Sequence, residues 1–257
     1  MTIKTTVFAT LALVLAMSSV GQAETTYSME DLKALVDQEN WAETIEHLQD
    51  IPPAQRKKDW NLYLEKSSLG LVNSVAEAGD PYNAWQTAEG LVVRYPMLKK
   101  SRPYLDRRAD VGVKAMGKCF QARYGFEQCL EASNNLIKVD PENSELAFEL
   151  GKLVRLNTTG GTAMTYFERA LRDKKMRKNC GHEQVKIALS QASGQRDDRG
   201  DAMKKVAFEY CWKQLKPTVM EEFAGGSSYT YANLCPGLQK KKALSPFQKA
   251  ICKDAKS

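Results

Sequence analysis

Apolar residues recur every three or four positions along most of this chain, which is the spacing of one face of an α-helix. Prolines at 52–53, 96 and 141 end several of these stretches, because a proline cannot continue a helix. Asp80 and either Asn143 or Ser144 are candidate N-caps. The pattern predicts two short helices within 28–51 and further helices over 54–78, 81–94, 102–122, 126–139, 145–156, 162–174, 183–192 and 201–223. We therefore expect an all-α fold.

Two stretches of the chain repeat each other at an offset of 34 residues. The matched positions are Met116 and Leu150, Gly117 and Gly151, Phe120 and Val154, and Cys129 and Ala163. A fixed period of about 34 residues is typical of helix pairs stacked side by side. Small residues such as Gly151 and Ala163 let the two helices of a pair approach closely, while Leu150 and Phe167 fill the flanking space. The offset therefore predicts antiparallel helix pairs.

The order Leu150-Gly151, Ala163, Phe167 and Ala170 resembles the tetratricopeptide repeat (TPR). The resemblance covers residues 65–177 well and residues 28–53 only loosely, with about eleven extra residues at 98–108. It implies a TPR-like superhelical stack of antiparallel helix pairs over residues 24–178, and a surface that holds another molecule. An open solenoid end needs a cover, so residues 179–257 are expected to form a disulfide-braced helical cap.

The first 23 residues are typical of a secretory signal peptide. Lys4 supplies a short positive start, residues 7–17 are largely apolar, and residues 18–23 are small and polar. The apolar run is too short to span a bilayer, and no later segment approaches that length. The alternative is a buried apolar N-terminal helix. We expect an exported protein, periplasmic or secreted, without a membrane span.

Six cysteines follow residue 118, an even number that favours disulfides in an oxidising compartment. Cys119 and Cys129 flank the turn at 124–125 about equally, so they can pair across a hairpin. The remaining predicted pairs are Cys180 with Cys211, and Cys235 with Cys252. The cysteine spacings lack the close pairs of structural zinc sites, so no metal is expected.

No catalytic motif accompanies the two histidines, His47 and His182. The chain has no nucleophile elbow, no phosphate-binding loop and no zinc-protease motif. We therefore expect neither an enzyme nor a cofactor.

In TPR arrays the first helix of each pair lines a groove, and the resemblance carries those positions onto this chain. The resulting partner-binding residues are Lys66, Asn73, Lys114, Lys118, Gln121, Phe148, Lys152 and Arg155, beside Leu69, Ala76, Val111 and Glu145. Five of these side chains are positive, which suits an acidic peptide or a free carboxylate. The alternative is that the lysines and Arg155 are simply solvated helix faces.

A second basic set supports a rival function, adhesion to an anionic envelope polymer. It consists of Arg172, Lys174, Lys175, Arg177 and Lys178, with Lys240, Lys241 and Lys242 further on. The net charge of +6 permits this attraction without requiring it. A glycan is favoured over nucleic acid, because aromatic residues for base stacking are missing near either run. A structural subunit of a cell-surface assembly is the third possibility.

Overall fold

A computed structural model describes residues 27–56, 58–122, 125–192, 195 and 197–214, and these residues form helices and turns without a strand. The α-helices are α1 (Met29–Asp37), α2 (Trp41–His47), α3 (Lys58–Glu77), α4 (Pro81–Arg94), α5 (Arg102–Gln121), α6 (Phe126–Val139), α7 (Ser144–Asn157), α8 (Gly160–Arg172), α9 (Glu183–Ala192) and α10 (Asp198–Lys204). Short 3-10 helices cover Pro53–Gln55, Pro96–Lys100 and Lys174–Gly181, and a π-helix covers Lys205–Tyr210. The predicted all-α fold is confirmed, whereas the predicted signal peptide lies outside the described residues.

The helix starts follow the predicted capping chemistry. The Asp80 side chain accepts hydrogen bonds from the backbone N–H groups of Tyr82 and Asn83, and Pro81 occupies the first turn of α4. Asn143, rather than Ser144, caps α7 by accepting from the Leu146 N–H at 2.9 Å. A side-chain oxygen satisfies an N–H that has no partner within its own helix. These caps fix where α4 and α7 begin.

The chain divides into two compact units, the first ending at Ser67 and the second beginning at Ser68. In the first unit, α1 starts with a capping box between Ser28 and Asp31. The indole N–H of Trp60 donates to the Leu48 carbonyl at 2.8 Å, which anchors the start of α3 against the end of α2. The apolar core of this unit contains Leu32, Val36, Ile45, Leu48, Ile51, Trp60 and Leu64.

In the second unit, α8 is the central helix and contacts α7, α9, α10 and the π-helix. Only Thr158 and Thr159 separate α7 from α8, so these two helices form a tight antiparallel pair. Helix α5 contacts α4, α6 and α7, and α7 in turn contacts α9. The core along these helices includes Met116, Phe120, Leu136, Leu150, Val154, Met164, Phe167 and Leu171.

The predicted close approach of α7 and α8 is confirmed at Gly151. A Cβ added to Gly151 would lie 2.8 Å from Cε1 of the fully buried Phe167. Its repeat partner Gly117 differs, because an added Cβ there would meet only Leu153 Cδ2, at 3.9 Å. In α5 the close approach falls instead at Gly112, where the added atom would lie 2.4 Å from Leu136 of α6. The offset of 34 residues therefore matches burial better than it matches helix contacts.

Gly151→Ala is expected to lower the free energy of unfolding by about 1–3 kcal/mol, because Phe167 has no room to move away. Gly117→Ala is the matched control. It adds the same methyl group to a helix interior with space for it, so it should raise stability by about 0.5–1 kcal/mol. Urea unfolding of both variants measures the difference, and equal effects would contradict the packing described here.

Two of the three predicted disulfides lie within the described residues, and both are confirmed. Cys119 and Cys129 join the end of α5 to the start of α6, with Cα atoms 5.9 Å apart. Cys180 and Cys211 join the 3-10 helix after α8 to the residue that follows the π-helix, with Cα atoms 5.4 Å apart. The predicted Cys235–Cys252 pair lies outside the described residues.

Candidate functional site

Helix α5 carries two exposed lysines one turn apart, both predicted to bind a partner. Lys114 Nζ lies 3.1 Å from Asp110 Oδ2, and Arg107 contacts the same carboxylate at 2.5 Å. Lys118 differs, because its ammonium donates to the Gly79 carbonyl at 3.2 Å and no carboxylate pairs with it among the described residues. Lys118 therefore keeps an uncompensated charge.

Helix α7 carries the next two predicted cations, Lys152 and Arg155, both half-buried. Lys152 Nζ pairs with Glu149 Oε2 at 2.6 Å and sits 5.6 Å from the ring centroid of Phe148. Arg155 has no ion pair within the described part of the chain, and its buried Nε lacks a hydrogen-bond acceptor. A buried donor without an acceptor is unfavourable. Arg155 is therefore the cation of α7 that stands to gain most from a partner's oxygen.

The two helices contact each other near these cations. The approach of Gly117 to Leu153 brings the stretch of α5 that carries Lys118 next to the stretch of α7 that carries Lys152 and Arg155. We call Lys114, Lys118, Lys152 and Arg155 the basic surface. Its two paired members are neutralised by Asp110 and Glu149, so the net positive charge resides on Lys118 and Arg155.

Phe148 is a correction to the prediction of a partner-contacting ring. It is only 5% exposed and packs against Phe167 and the edge of His182, with ring centroids 5.6 and 5.4 Å away. The residues that begin α9 cover this position, which the repeat pattern alone does not indicate. Phe148 therefore contributes to the basic surface from beneath, by supporting the Lys152 ammonium.

The remaining predicted groove positions are scattered in exposure. Gln121, at the end of α5, is exposed, and Asn73 is half-buried in α3. Lys66 is exposed in the first unit, where its charge helps Lys33 to lower the pKa of Asp37; the hydrogen bond from Lys33 is the larger cause. Val111 is fully buried. Only the four cations of α5 and α7 are placed on neighbouring helices of one unit.

The second predicted basic set is partly engaged inside the molecule. Arg172 binds the carboxylate of Glu168 through two hydrogen bonds, at 2.7 and 2.8 Å. Arg177 lies 4.9 Å from the ring centroid of Tyr210 and donates to the Leu171 carbonyl at 3.0 Å. Exposed lysines 174, 175 and 178 remain, whereas Lys240, Lys241 and Lys242 lie outside the described residues. Two of the five central members therefore have structural partners.

Glu168 is a polar centre that the sequence analysis missed. It is 7% exposed and accepts from Arg172 and, at 3.4 Å, from the Tyr210 hydroxyl, while Lys205 Nζ lies 3.7 Å away. Burial raises the pKa of Tyr210, and the Glu168 carboxylate raises it further. The spacing of four between Glu168 and Arg172 was the available signal, whereas nothing local indicated Tyr210. This network ties α8 to the π-helix.

A buried ion pair holds three helices of the second unit together. Arg108 of α5, whose side chain is fully buried, lies 2.5 Å from the Glu89 carboxylate of α4 and donates to the Leu136 carbonyl of α6 at 3.1 Å. The neighbouring Tyr104 hydroxyl donates to the Ala88 carbonyl at 2.8 Å, and burial raises its pKa well above the usual range. This network fixes α5, which carries half of the basic surface.

Other classes of site were sought in the same described ranges. No group of three or more His, Cys, Asp or Glu side chains converges there as metal ligands. Among these residues, no helix combines the length and the apolar character needed to cross a bilayer.

Comparison of the chain with models of known protein families, with curated proteins and with solved structures finds no match.

Proposed function

We propose that this chain is an exported, non-catalytic interaction module that captures an acidic peptide, or an acidic segment of a protein partner, on the basic surface. The observation that supports this is the pair Lys118 and Arg155. They lie on neighbouring helices, α5 and α7, and neither has a carboxylate partner within the described residues. Their charges are therefore available to carboxylates from another molecule.

A partner carboxylate would improve the bonding of both cations. Lys118 would exchange or share a neutral carbonyl for a charged acceptor, and such charge-assisted bonds are about twice as strong as neutral ones. The exposed part of the Arg155 guanidinium offers planar donors that match a carboxylate geometrically. Lys114 and Lys152 add less, since each would first have to leave Asp110 or Glu149.

The proposed scaffold is a TPR-like superhelical stack. The contacts of α5 with α7 and of α7 with α9, together with the tight pairing of α7 and α8 at Gly151, support this interpretation. The proposed location is the periplasm or the exterior of the cell. The layout of residues 1–23 and the pairing of four cysteines into two disulfides support export.

Reversing the charges of Lys118 and Arg155 together is expected to weaken capture of an acidic peptide at least tenfold. Each charge-assisted hydrogen bond contributes roughly 1.5–3 kcal/mol, and about 1.4 kcal/mol corresponds to tenfold in affinity. Fluorescence anisotropy with a labelled Glu- and Asp-rich peptide measures the affinity of Lys118→Glu/Arg155→Glu. The melting temperature should stay that of the unaltered protein, because neither side chain holds an internal ion pair among the described residues.

Lys174→Glu/Lys178→Glu is the matched control, because it changes the net charge equally on exposed lysines elsewhere. It should bind the peptide as the unaltered protein does, apart from a small general electrostatic effect. Stronger loss in this control would instead favour adhesion to an anionic polymer. If charge reversal unfolds the chain, Lys118→Gln/Arg155→Gln provides the test. Undiminished capture by that folded variant would refute the basic surface as the binding site.

A further inference from the structure

The second unit contains a cleft that the basic surface does not use. It has a volume of about 420 Å³ and lies between the turn joining α6 to α7 and the C-terminal end of α8. Its lining residues are Pro141, Glu142, Ser144, Arg169, Arg172 and Asp173. Pockets of roughly 300–1,000 Å³ are typical of small-molecule sites. None of these residues belongs to the basic surface.

Two guanidinium groups form one side of the cleft. Arg169 and Arg172 are three residues apart on α8, so they lie on the same helix face. Glu168 binds Nε and Nη2 of Arg172, which fixes this guanidinium in place and leaves Nη1 without a hydrogen bond to Glu168. Arg169 is half-buried and has neither a hydrogen bond nor an ion pair within the described part of the chain. The cleft therefore offers donors suited to a carboxylate.

Two carboxylates line the same cleft. Asp173 accepts hydrogen bonds from the Ser144 hydroxyl at 3.0 Å and from the Lys175 backbone N–H at 2.9 Å. These bonds, led by that from Lys175, lower its pKa, so Asp173 is charged near neutral pH. Glu142 is exposed in the turn after α6 and has no ion pair among the described residues. Their negative charges would repel a simple anion and attract an ammonium group.

We propose that this cleft binds a small zwitterion, a free α-amino acid or a short peptide, with its carboxylate at Arg169 and its ammonium group at Glu142. The four charged lining residues carry no net charge together, which matches a ligand that is itself neutral but has separated charges. Arg172 and Asp173, both held by internal hydrogen bonds, flank the two contacts as fixed charges. The fixed positions of these two groups reduce the entropy lost when a ligand binds.

The test is a calorimetric titration of the full, oxidised chain with glycine, alanine and dialanine. Acetate and methylammonium serve as half-ligands that carry only one of the two charges. The zwitterions should bind at millimolar concentration or tighter, and each half-ligand at least tenfold more weakly. Acetate or methylammonium binding as tightly as glycine would replace the proposal with a simple anion or cation site, and no zwitterion binding at all would overturn it.

Two single variants locate the binding. Arg169→Gln and Glu142→Gln should each weaken glycine binding at least tenfold without changing thermal unfolding, because neither side chain has an internal ion pair within the described ranges. Lys174→Gln, exposed nearby but outside the lining, should leave it unchanged. Unaltered glycine binding by Arg169→Gln would overturn the assignment. These variants spare Lys118 and Arg155, so this outcome is independent of acidic-peptide capture.

Discussion

Replacing Cys180 and Cys211 together with serine is expected to lower the free energy of unfolding by about 4 kcal/mol. The bond closes a loop over a sequence separation of 31, and the entropy that a disulfide removes from the unfolded chain grows with loop length. Both cysteines are fully buried, and Cys211 directly follows Tyr210, which donates to Glu168. Denaturant unfolding of the Ser/Ser variant, under oxidising conditions that preserve the other pairs, measures the loss.

The second disulfide provides the internal comparison. Cys119 and Cys129 close a loop over a separation of only 10, so Cys119→Ser/Cys129→Ser should cost about 3 kcal/mol. The shorter bond joins two ends of a hairpin that are already close. A larger loss from the shorter loop would mean that restriction of the unfolded chain does not govern the stability supplied by these disulfides.

Arg108→Met is expected to lower the free energy of unfolding by about 3 kcal/mol. Methionine fills much of the same space, so the loss comes from the polar groups that remain. Glu89 keeps a carboxylate that is only 27% exposed, now without its cation, and the Leu136 carbonyl loses a donor. Leaving a buried charge or acceptor unsatisfied costs more than the intact interaction contributes. Urea unfolding measures the effect.

Arg107→Met is the matched control, since Arg107 is the next residue of the same helix. Its guanidinium pairs with Asp110, whose side chain is largely solvated, and such pairs contribute at most about 1 kcal/mol. Adding Glu89→Leu to Arg108→Met should restore part of the lost stability, because it removes the orphaned carboxylate. Equal losses for the two single arginine variants would contradict the structural role assigned to Arg108.

The helices could be predicted because their signals are local. Apolar spacing indicates a helix within a few turns, and Asp80 and Asn143 mark starts through side-chain bonds to residues two or three positions ahead. The Cys119–Cys129 pair was similarly accessible, because a short turn brings its two ends together. Gly151 was identified through its tight hairpin with α8.

The tertiary networks could not be predicted, because their partners are distant in sequence. Tyr210 lies 42 residues from Glu168, and Arg108 lies 28 residues from Leu136, with no pattern linking either pair. Phe148 was assigned to a groove by its repeat position, but its burial depends on where the chain entering α9 packs. Repeat position thus identified the cations of the basic surface, and neighbouring helices decided which of them stay unpaired.

Charge exchange between the basic surface and its ligand tests the central claim most directly. The Lys118→Glu/Arg155→Glu variant is titrated with two labelled peptides of equal length, one rich in Glu and the other with those positions changed to Lys. We predict that the variant loses the Glu peptide and gains the Lys peptide, whereas the unaltered protein shows the reverse preference. If both proteins prefer the same peptide, Lys118 and Arg155 do not form the binding site.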